Sequence, residues 1–313
     1  MNRSSSRPLE AAASSCKGAR GCALDTAIRT VRMRLRVSIV APVLFGTAIA
    51  ATLSVAAPSQ NPSVASAETS QSSAVDLELA LAVDVSYSME TDEQKLQREG
   101  YAEAITSPEF LQMVKSGQLG RIAISYFEWA ASGDVKLIVK QRIIDGPDSA
   151  NLVGMEILSA PLRRASRTSI SGAINFSVKL FGKSEYHAAR RVIDISGDGP
   201  NNSGEIVTAA RDKAVALGIT INGLPIMTRE PSSPNVDIKD LDIYYEDCVI
   251  GGPGAFAMVI KSRDQFKAAI KRKLVQEVAK NAINLAVIPV ENYESRISCT
   301  IGEEMQRGGE GPL

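Results

Sequence analysis

The feature that most constrains this 313-residue sequence is the stretch 77–89, which reads LELALAVDVSYSM. An apolar run stops at Asp84 and is followed by hydroxyl side chains at Ser86 and Ser88. Alternate residues of an extended chain point to the same side, so the carboxylate and the two hydroxyls are expected to face one way. Oxygen donors of this kind suit a hard divalent cation. The stretch therefore predicts a buried strand that ends in a candidate cation site.

Two later stretches supply further oxygen donors. Thr168 precedes a predicted helix in RTSISGAI, and Asp198 follows the predicted strand RRVIDIS. In an open parallel sheet, ligands bind beyond the carboxyl ends of the strands, so the loops after both strands are expected at one edge. A site built only from oxygen donors suits Mg²⁺, with Mn²⁺ and Ca²⁺ as the alternatives. The candidate metal ligands are Asp84, Ser86, Ser88, Thr168 and Asp198.

Each of these residues has an ordinary structural explanation when it is considered alone. Asp84 and Ser86 could cap the following helix, Thr168 could be only an N-cap, and Asp198 with the glycine after it is a common turn pair. Their joint occurrence, in order and at element ends, favours the metal site. Asp194 lies inside the predicted strand, and we expect it to be a buried, satisfied carboxylate rather than a ligand.

Strands alternate with helices through the body of the chain. This pattern predicts an α/β fold with a doubly wound, mostly parallel sheet and helices on both faces. Residues 121–129 and 135–144 alternate around Ser132-Gly133-Asp134 and predict one antiparallel hairpin at an edge. In the tail, the apolar stretch 283–290 is expected to add an edge strand before the chain frays.

The N-terminal region predicts export. Residues 1–36 hold eight basic and two acidic side chains, and residues 37–57 hold no charged residue at all. This is the pattern of a signal peptide, for which Met33 is an alternative start. The preferred interpretation is a cleaved signal and a periplasmic or extracellular protein. The candidate cleavage sites are Ala65-Ser66-Ala67, ahead of Glu68, and Ala48-Ile49-Ala50. An uncleaved segment 37–57, long enough to anchor the chain in the inner membrane, is the alternative. The predicted organisation is a basic segment and signal or anchor (1–57), a disordered linker (58–74), a globular domain (75–280) and a tail (281–313).

Charge and cysteine content limit the partners. The formal net charge is zero, so the body that follows the basic N-terminal segment is acidic. An acidic body argues against nucleic acid, which requires a basic face. Cys248 and Cys299 could pair in an oxidising compartment or could be two unrelated thiols, and their spacing does not decide between these alternatives.

The order of the candidate ligands resembles the metal-ion-dependent adhesion site of the von Willebrand factor type A family. That site is an Asp-x-Ser-x-Ser motif, then a Thr, then an Asp, and all three parts are matched here. The resemblance covers about residues 75–280. More narrowly, RRVIDISGDGPNNSG and DCVIGGPGAF resemble a bacterial exported subgroup of unknown function (DUF1194-like).

The resemblance implies a role for each residue and a class of function. Ser86, Ser88 and Thr168 would bind the ion directly, and Asp84 and Asp198 would act partly through water. One coordination position would stay open for a carboxylate of a partner protein, which the sequence does not identify. Membrane contact is expected only through segment 37–57, if it stays uncleaved.

The expected function is therefore an exported, metal-dependent protein-binding module. The alternatives are a non-catalytic scaffold that the ion stiffens and, less favoured, a hydrolase that uses the ion as a Lewis acid. The only histidine is His187, in a predicted helix-to-strand connection, and no nucleophile motif is present. These observations favour a binding protein over an enzyme.

Overall fold

The computed structural model describes residues 73–229, 238–279 and 295–309. The strands of this part are β1 (Ala74–Asp84), β2 (Ile122–Trp129), β3 (Val135–Ile144), β4 (His187–Gly197) and β5 (Ile219–Pro225). The α-helices are α1 (Thr91–Thr106), α2 (Pro108–Lys115), α3 (Pro147–Ser159), α4 (Ile170–Gly182), α5 (Val207–Ala216), α6 (Leu241–Tyr244), α7 (Phe266–Ala279) and α8 (Ile301–Gly309). A π-helical turn, Tyr245–Val249, follows α6, and a 3₁₀ turn, Arg263–Gln265, precedes α7.

The five strands form one sheet in the order β3-β2-β1-β4-β5. Strand β1 pairs in parallel with β2 and β4, β5 pairs in parallel with β4, and β3 is antiparallel to β2 at the edge. The predicted fold class, including the edge hairpin, is confirmed. The chain adds β2 and β3 on one side of β1 and then β4 and β5 on the other. The strand order therefore reverses between β1 and β4, where open α/β sheets form a ligand crevice at the carboxyl ends of the strands.

Strand β1 is the central strand of the sheet, and both of its faces are buried. Leu77, Leu79 and Leu81 pack on the face covered by α1, α2, α3 and α7. Ala80 and Ala82 pack on the opposite face, which α4 and α5 cover. Burial on both faces explains why the sequence of β1 is almost continuously apolar, as is typical of a strand inside a parallel sheet.

Local capping residues fix several helix boundaries. Helix α1 ends at Thr106, and the Ser107 hydroxyl then accepts a hydrogen bond from the Phe110 amide at 3.3 Å. Pro108 occupies the first position of α2, where its missing N–H leaves no hydrogen bond unmade. Gly218 follows the end of α5 with a φ of 75°, a conformation that glycine adopts without steric cost.

The C-terminal segment differs from the prediction. The stretch 283–290, expected to form an edge strand, lies outside the described residues. Residues 301–309, expected to fray, form α8 instead. A disulfide between Cys248 and Cys299, with a Cα–Cα distance of 5.4 Å, holds this segment on the domain. The open question about the two cysteines is therefore answered by pairing.

Within residues 73–229, 238–279 and 295–309, no helix combines the length and apolar character that crossing a membrane requires. The predicted signal or anchor segment, 37–57, lies outside these residues.

Candidate metal site

The candidate ligands of the first motif lie at the carboxyl end of β1. Asp84 is the last residue of the strand and is fully buried. Its Oδ1 accepts a hydrogen bond from the Ser86 amide at 2.7 Å, which fixes the turn of the loop. This local bond positions the two serines beyond the sheet, on the crevice at the β1–β4 reversal.

Three of the predicted ligands are in direct contact. The Ser86 and Ser88 hydroxyl oxygens are 2.8 Å apart, and the Ser88 hydroxyl donates to Asp198 Oδ1 at 2.6 Å. Asp198 directly follows β4, so the contact joins the loops of two neighbouring strands across 110 residues of sequence. The structure thus brings together the Asp-x-Ser-x-Ser motif and the later aspartate.

Thr168 is placed beside the same loops. It is buried, its amide donates to Asn202 Oδ1 at 2.8 Å, and its carbonyl accepts from the Asn202 amide at 2.8 Å. A Cβ built on Gly199, the residue after Asp198, would lie 3.8 Å from the Thr168 hydroxyl. The capping residue of α4 is Ser169 and not Thr168, because the Ser169 hydroxyl accepts from the Gly172 amide. The alternative that Thr168 serves as the N-cap is therefore wrong.

A second oxygen of Asp84 has no hydrogen-bond partner among the described residues. This atom, Oδ2, is buried, and so is the equally unpartnered hydroxyl of Tyr245. A Cβ added to Gly197 would lie 3.0 Å from each of these two oxygens, so the glycine leaves open the space that both face. Tyr245, in the π-helical turn, belongs to this site, and no sequence motif indicated it.

Electrostatics at Asp84 favour a bound cation. Burial raises the pKa of Asp84 well above its ordinary value, and the nearby charge of Asp198 raises it further. Burial also raises the pKa of Tyr245, with the charges of Asp84 and Asp198 acting in the same direction. Two carboxylates that repel each other in a buried setting are stabilised in their charged form by a cation between them.

The oxygen spacing fits a small octahedral ion. Mg²⁺ binds oxygen at 2.0–2.1 Å, which puts adjacent ligand oxygens about 2.9 Å apart. The spacing of 2.8 Å between the two serine hydroxyls, which are both expected direct ligands, comes close to that edge length. The bond of 2.6 Å from the Ser88 hydroxyl to Asp198 would orient that hydroxyl toward the ion. No group of three or more His, Cys, Asp or Glu residues in the described part could hold a metal. A site here would therefore depend on hydroxyl ligands.

Arg229 is a second residue that the sequence reasoning missed. It lies four residues after β5, and its Nη2 donates to Asp198 Oδ2 at 2.9 Å and also to the Ser88 carbonyl oxygen. Its guanidinium is also 3.7 Å from the buried Glu93 carboxylate. A guanidinium in this position neutralises part of the negative charge that a divalent ion would meet.

The loop after Asp198 is tied down by one asparagine. The buried Asn201 accepts from the Ser171 amide at 3.0 Å through Oδ1, and its Nδ2 donates to the Glu303 carboxylate of α8 at 2.7 Å. Its amide donates to the Tyr244 hydroxyl at 3.1 Å. The loop of residues 199–203 is therefore held by α4, α6 and α8 together.

Two residues that the sequence analysis placed outside the candidate site also lie outside it in the structure. Asp194 is buried inside β4, as expected, but it is only partly satisfied. One of its oxygens accepts from Lys273 of α7, while the other has no partner among the described residues. His187 is the first residue of β4, not part of a connection. It is ten residues from the carboxyl end of the strand, or roughly 33 Å at the usual rise, which is too far to act as a base at the site.

Comparison with known sequences decides the family. The sequence profile of the family described as "Protein of unknown function (DUF1194)" matches residues 74–282. The chain belongs to this family. No curated protein matches the chain.

Solved structures share the fold at low sequence identity. The pilus adhesin SpaC from Lactobacillus rhamnosus GG is 12% identical with a TM-score of 0.50, over 66% of this chain and 31% of the adhesin. A von Willebrand factor type A protein from Catenulispora acidiphila is 13% identical, with a TM-score of 0.45, over 66% of this chain and 42% of that one. Proximal thread matrix protein 1 from the mussel byssus, "with zinc occupied MIDAS motif", is 14% identical, with a TM-score of 0.45, over 65% and 46%. The chain spans less than half of each of these proteins, and identities this low show the fold alone.

Proposed function

We propose that this protein is an exported module that binds a divalent cation, with Mg²⁺ as the leading candidate, and uses it to bind an acidic side chain of a partner protein. The observation that carries the proposal is the set of converging oxygens at the β1–β4 reversal. The Ser88 hydroxyl lies 2.8 Å from the Ser86 hydroxyl and 2.6 Å from Asp198 Oδ1. Beside them is a buried oxygen of Asp84 that has no hydrogen-bond partner among the described residues. A buried carboxylate oxygen without a partner costs free energy unless something satisfies it.

The roles follow from the geometry and the chemistry of the donors. Ser86, Ser88 and Thr168 would hold the cation, and Asp84 and Asp198 would supply charge and orient its water molecules. Few direct bonds to anions leave such an ion electrophilic, so it would attract a carboxylate from outside. The presence of a pilus adhesin among the structures that share this fold is consistent with a role in protein binding.

The disulfide supports the export part of the proposal. Disulfides persist in oxidising compartments and are rare in the cytosol. The Cys248–Cys299 bond therefore agrees with the basic and apolar N-terminal pattern of a signal peptide. Fractionation of cells that produce the full chain, with N-terminal sequencing of the mature protein, tests export and cleavage together. Recovery of the uncleaved chain from the cytosol would contradict this part.

Calorimetric titration of Mg²⁺, Mn²⁺ and Ca²⁺ into the full chain tests the metal site. We expect saturable binding to the wild type and none to the Ser86→Ala/Ser88→Ala variant. The matched control is Ser116→Ala/Ser159→Ala, which removes two exposed hydroxyls that bond only within their own helices. Absence of binding to the wild type, or equal binding to the Ser86→Ala/Ser88→Ala variant, would contradict a cation at these residues.

A scaffold stiffened by the ion is the outcome to separate from a binding module. If the ion only stiffens the fold, removing it with a chelator lowers the thermal midpoint but does not change retention of any partner. For a binding module, the chelator releases the partner from a pull-down with the full chain. The variant Ser86→Ala/Ser88→Ala should then fail to retain the same partner.

A further inference from the structure

Three exposed or partly exposed side chains border the candidate site: Tyr87, Arg164 and Arg167, here called the arginine–tyrosine rim. Tyr87 stands between the two serines of the motif and is 61% exposed, which is high for a large aromatic residue. The Arg164 guanidinium lies 5.6 Å from the centre of the Tyr87 ring, and its Nη2 donates to the Tyr87 carbonyl oxygen. The two side chains therefore form one surface.

The backbone fixes this rim against the site. The Ala165 amide donates to the Val85 carbonyl at 3.1 Å, and Ala165 forms an isolated parallel bridge with Ser86. Arg167 directly precedes Thr168, whose amide is held by Asn202. The segment that carries both arginines thus runs alongside the Asp-x-Ser-x-Ser loop.

Ion pairing distinguishes the two arginines of the rim from their neighbour Arg163. Within the described residues neither Arg164 nor Arg167 forms an ion pair with a carboxylate. Their neighbour Arg163 does, through Asp134 at 2.7 Å. A guanidinium over an exposed tyrosine, with a second exposed arginine three residues later on the same segment, complements an anionic surface. Arginine and tyrosine are also enriched among the residues that anchor protein interfaces.

The backbone at Arg167 indicates that its side chain matters. Its φ is 68°, and it is the only non-glycine residue with a positive φ in the described part of the chain. Glycine adopts this conformation without steric cost, whereas an arginine there is strained. An arginine at a position that suits glycine points to a use for the guanidinium outside the fold itself.

We infer that the rim binds a second carboxylate of the same partner segment. The partner would present an extended acidic peptide segment, with one carboxylate at the candidate cation and another, a few residues away, at Arg164 and Arg167. Guanidinium groups bind carboxylates in a bidentate geometry, and Tyr87 would pack against the segment between the two acids. This inference rests on the proposed function and adds the chemistry of the partner.

Synthetic peptides of eight residues, coupled to a sensor surface, test the inference with the full chain in saturating Mg²⁺. One peptide carries a single Asp among Gly and Ser, and the others add a second Asp one to four positions away. We expect the best two-acid peptide to bind roughly tenfold more tightly than the one-acid peptide, since each exposed ion pair contributes up to about fivefold. Arg164→Ala and Arg167→Gly should each reduce this preference. Both should leave binding of the one-acid peptide and of Mg²⁺ unchanged.

The controls separate this inference from a structural role and from the proposed function. Arg167→Gly removes the strained side chain, so thermal stability should not fall while the two-acid preference does. Arg272→Ala, an exposed arginine of α7, should preserve the preference. Normal Mg²⁺ binding with equal affinity for one-acid and two-acid peptides would overturn the rim and leave the proposed function standing. A wild type that binds no Mg²⁺ would overturn both, and the metal titration reveals this before any peptide is added.

Discussion

Lys273 occupies the centre of a fully buried ion network that joins α7 to β4. Its Nζ donates to Asp194 Oδ1 and to Glu277 Oε1, and it lies 5.1 Å from the centre of the Phe256 ring. Asn222 Nδ2 donates to the other oxygen of Glu277 at 3.0 Å. Two carboxylates and one ammonium thus share a site from which water is excluded, and the lysine is the only cation in direct contact with them among the described residues.

We predict that Lys273→Met strongly destabilises the protein. Methionine has a similar length, so the main effect is to leave two buried carboxylates without their cation. Removing one partner of a buried charge pair costs about 3–5 kcal/mol. Since native domains are stable by only about 5–15 kcal/mol, the free energy of unfolding of the variant should be clearly lower than that of the wild type.

The pH dependence gives the prediction a second signature. Burial raises the pKa of Asp194 from 3.8 to about 7, even though Lys273 acts to lower it. A folded-state pKa above the unfolded value means that the folded protein binds more protons. The stability contributed by this group is present below about pH 4 and is lost as the pH rises through 7. Without Lys273 the pKa of Asp194 should rise further. The deficit of the variant should therefore be smaller at pH 5 than at pH 8.

Burial lowers the pKa of Lys273, but the charges of Asp194 and Glu277 outweigh burial and hold it above its ordinary value. The lysine therefore stays charged throughout this pH window. The pH-dependent part of the difference in stability between wild type and variant thus reports on Asp194.

Urea unfolding of the full chain, followed by tryptophan fluorescence, measures the effect. Trp129 is the only tryptophan and is buried in β2, so its emission reports on loss of the core. A loss of 3–5 kcal/mol should lower the midpoint by at least about 1 M urea. Lys271→Met is the matched control: the same substitution on the same helix, at a partly exposed lysine paired with the exposed Glu109. Equal midpoint shifts in both variants, or a deficit for Lys273→Met that does not change with pH, would refute the reasoning.

Three further predictions concern the site and its supports. Tyr245→Phe removes a buried hydroxyl that has no hydrogen-bond partner in the described part of the chain, so the urea midpoint should stay the same or rise. The Mg²⁺ affinity measured by calorimetry should fall several-fold, and an unchanged affinity would exclude Tyr245 from the site. Arg229→Gln should raise Mg²⁺ affinity about two- to fivefold, because the guanidinium no longer neutralises its carboxylate partner, and a weaker affinity would instead show that it holds the site together. Cys248→Ser/Cys299→Ser should lower the free energy of unfolding by about 2–4 kcal/mol, given that the bond closes a loop with a sequence separation of 51. An equal urea midpoint in the oxidised wild type and the double variant would contradict a structural role for the disulfide.

The sequence predicted those parts of the fold that depend on local pattern. The apolar run of β1 indicated a buried strand, and the alternation of residues 121–129 and 135–144 indicated the edge hairpin, because each effect acts within a few residues. The same reasoning gave no helix for residues 241–249, where α6 and the π-helical turn form. These elements are too short to show a periodic pattern. They are stabilised instead by the packing of Tyr244 and Tyr245 against the sheet.

The candidate site, like the fold, could be predicted from the sequence only in part. The Asp-x-Ser-x-Ser motif could be read because its three side chains share one loop, and the doubly wound topology then placed Asp198 beside it. Arg229 and Tyr245 could not be found, because each enters the site from a separate element and carries no motif of its own. Their contributions depend on three-dimensional packing: Arg229, for example, contacts Asp198 across 31 residues of sequence.

The C-terminal segment shows how a feature that looked peripheral supports the candidate site. Arg296 bonds to Asp247, next to Cys248, and so brings the end of the chain to the π-helical turn at the place where the disulfide forms. From there α8 places Glu303 on Asn201, in the loop that follows Asp198. Because that asparagine also holds the start of α4, the position of the loop depends on contacts made after the disulfide. Oxidation would thus favour the ordered loop around the candidate cation, which links the compartment predicted from the N-terminal pattern to the geometry of the site.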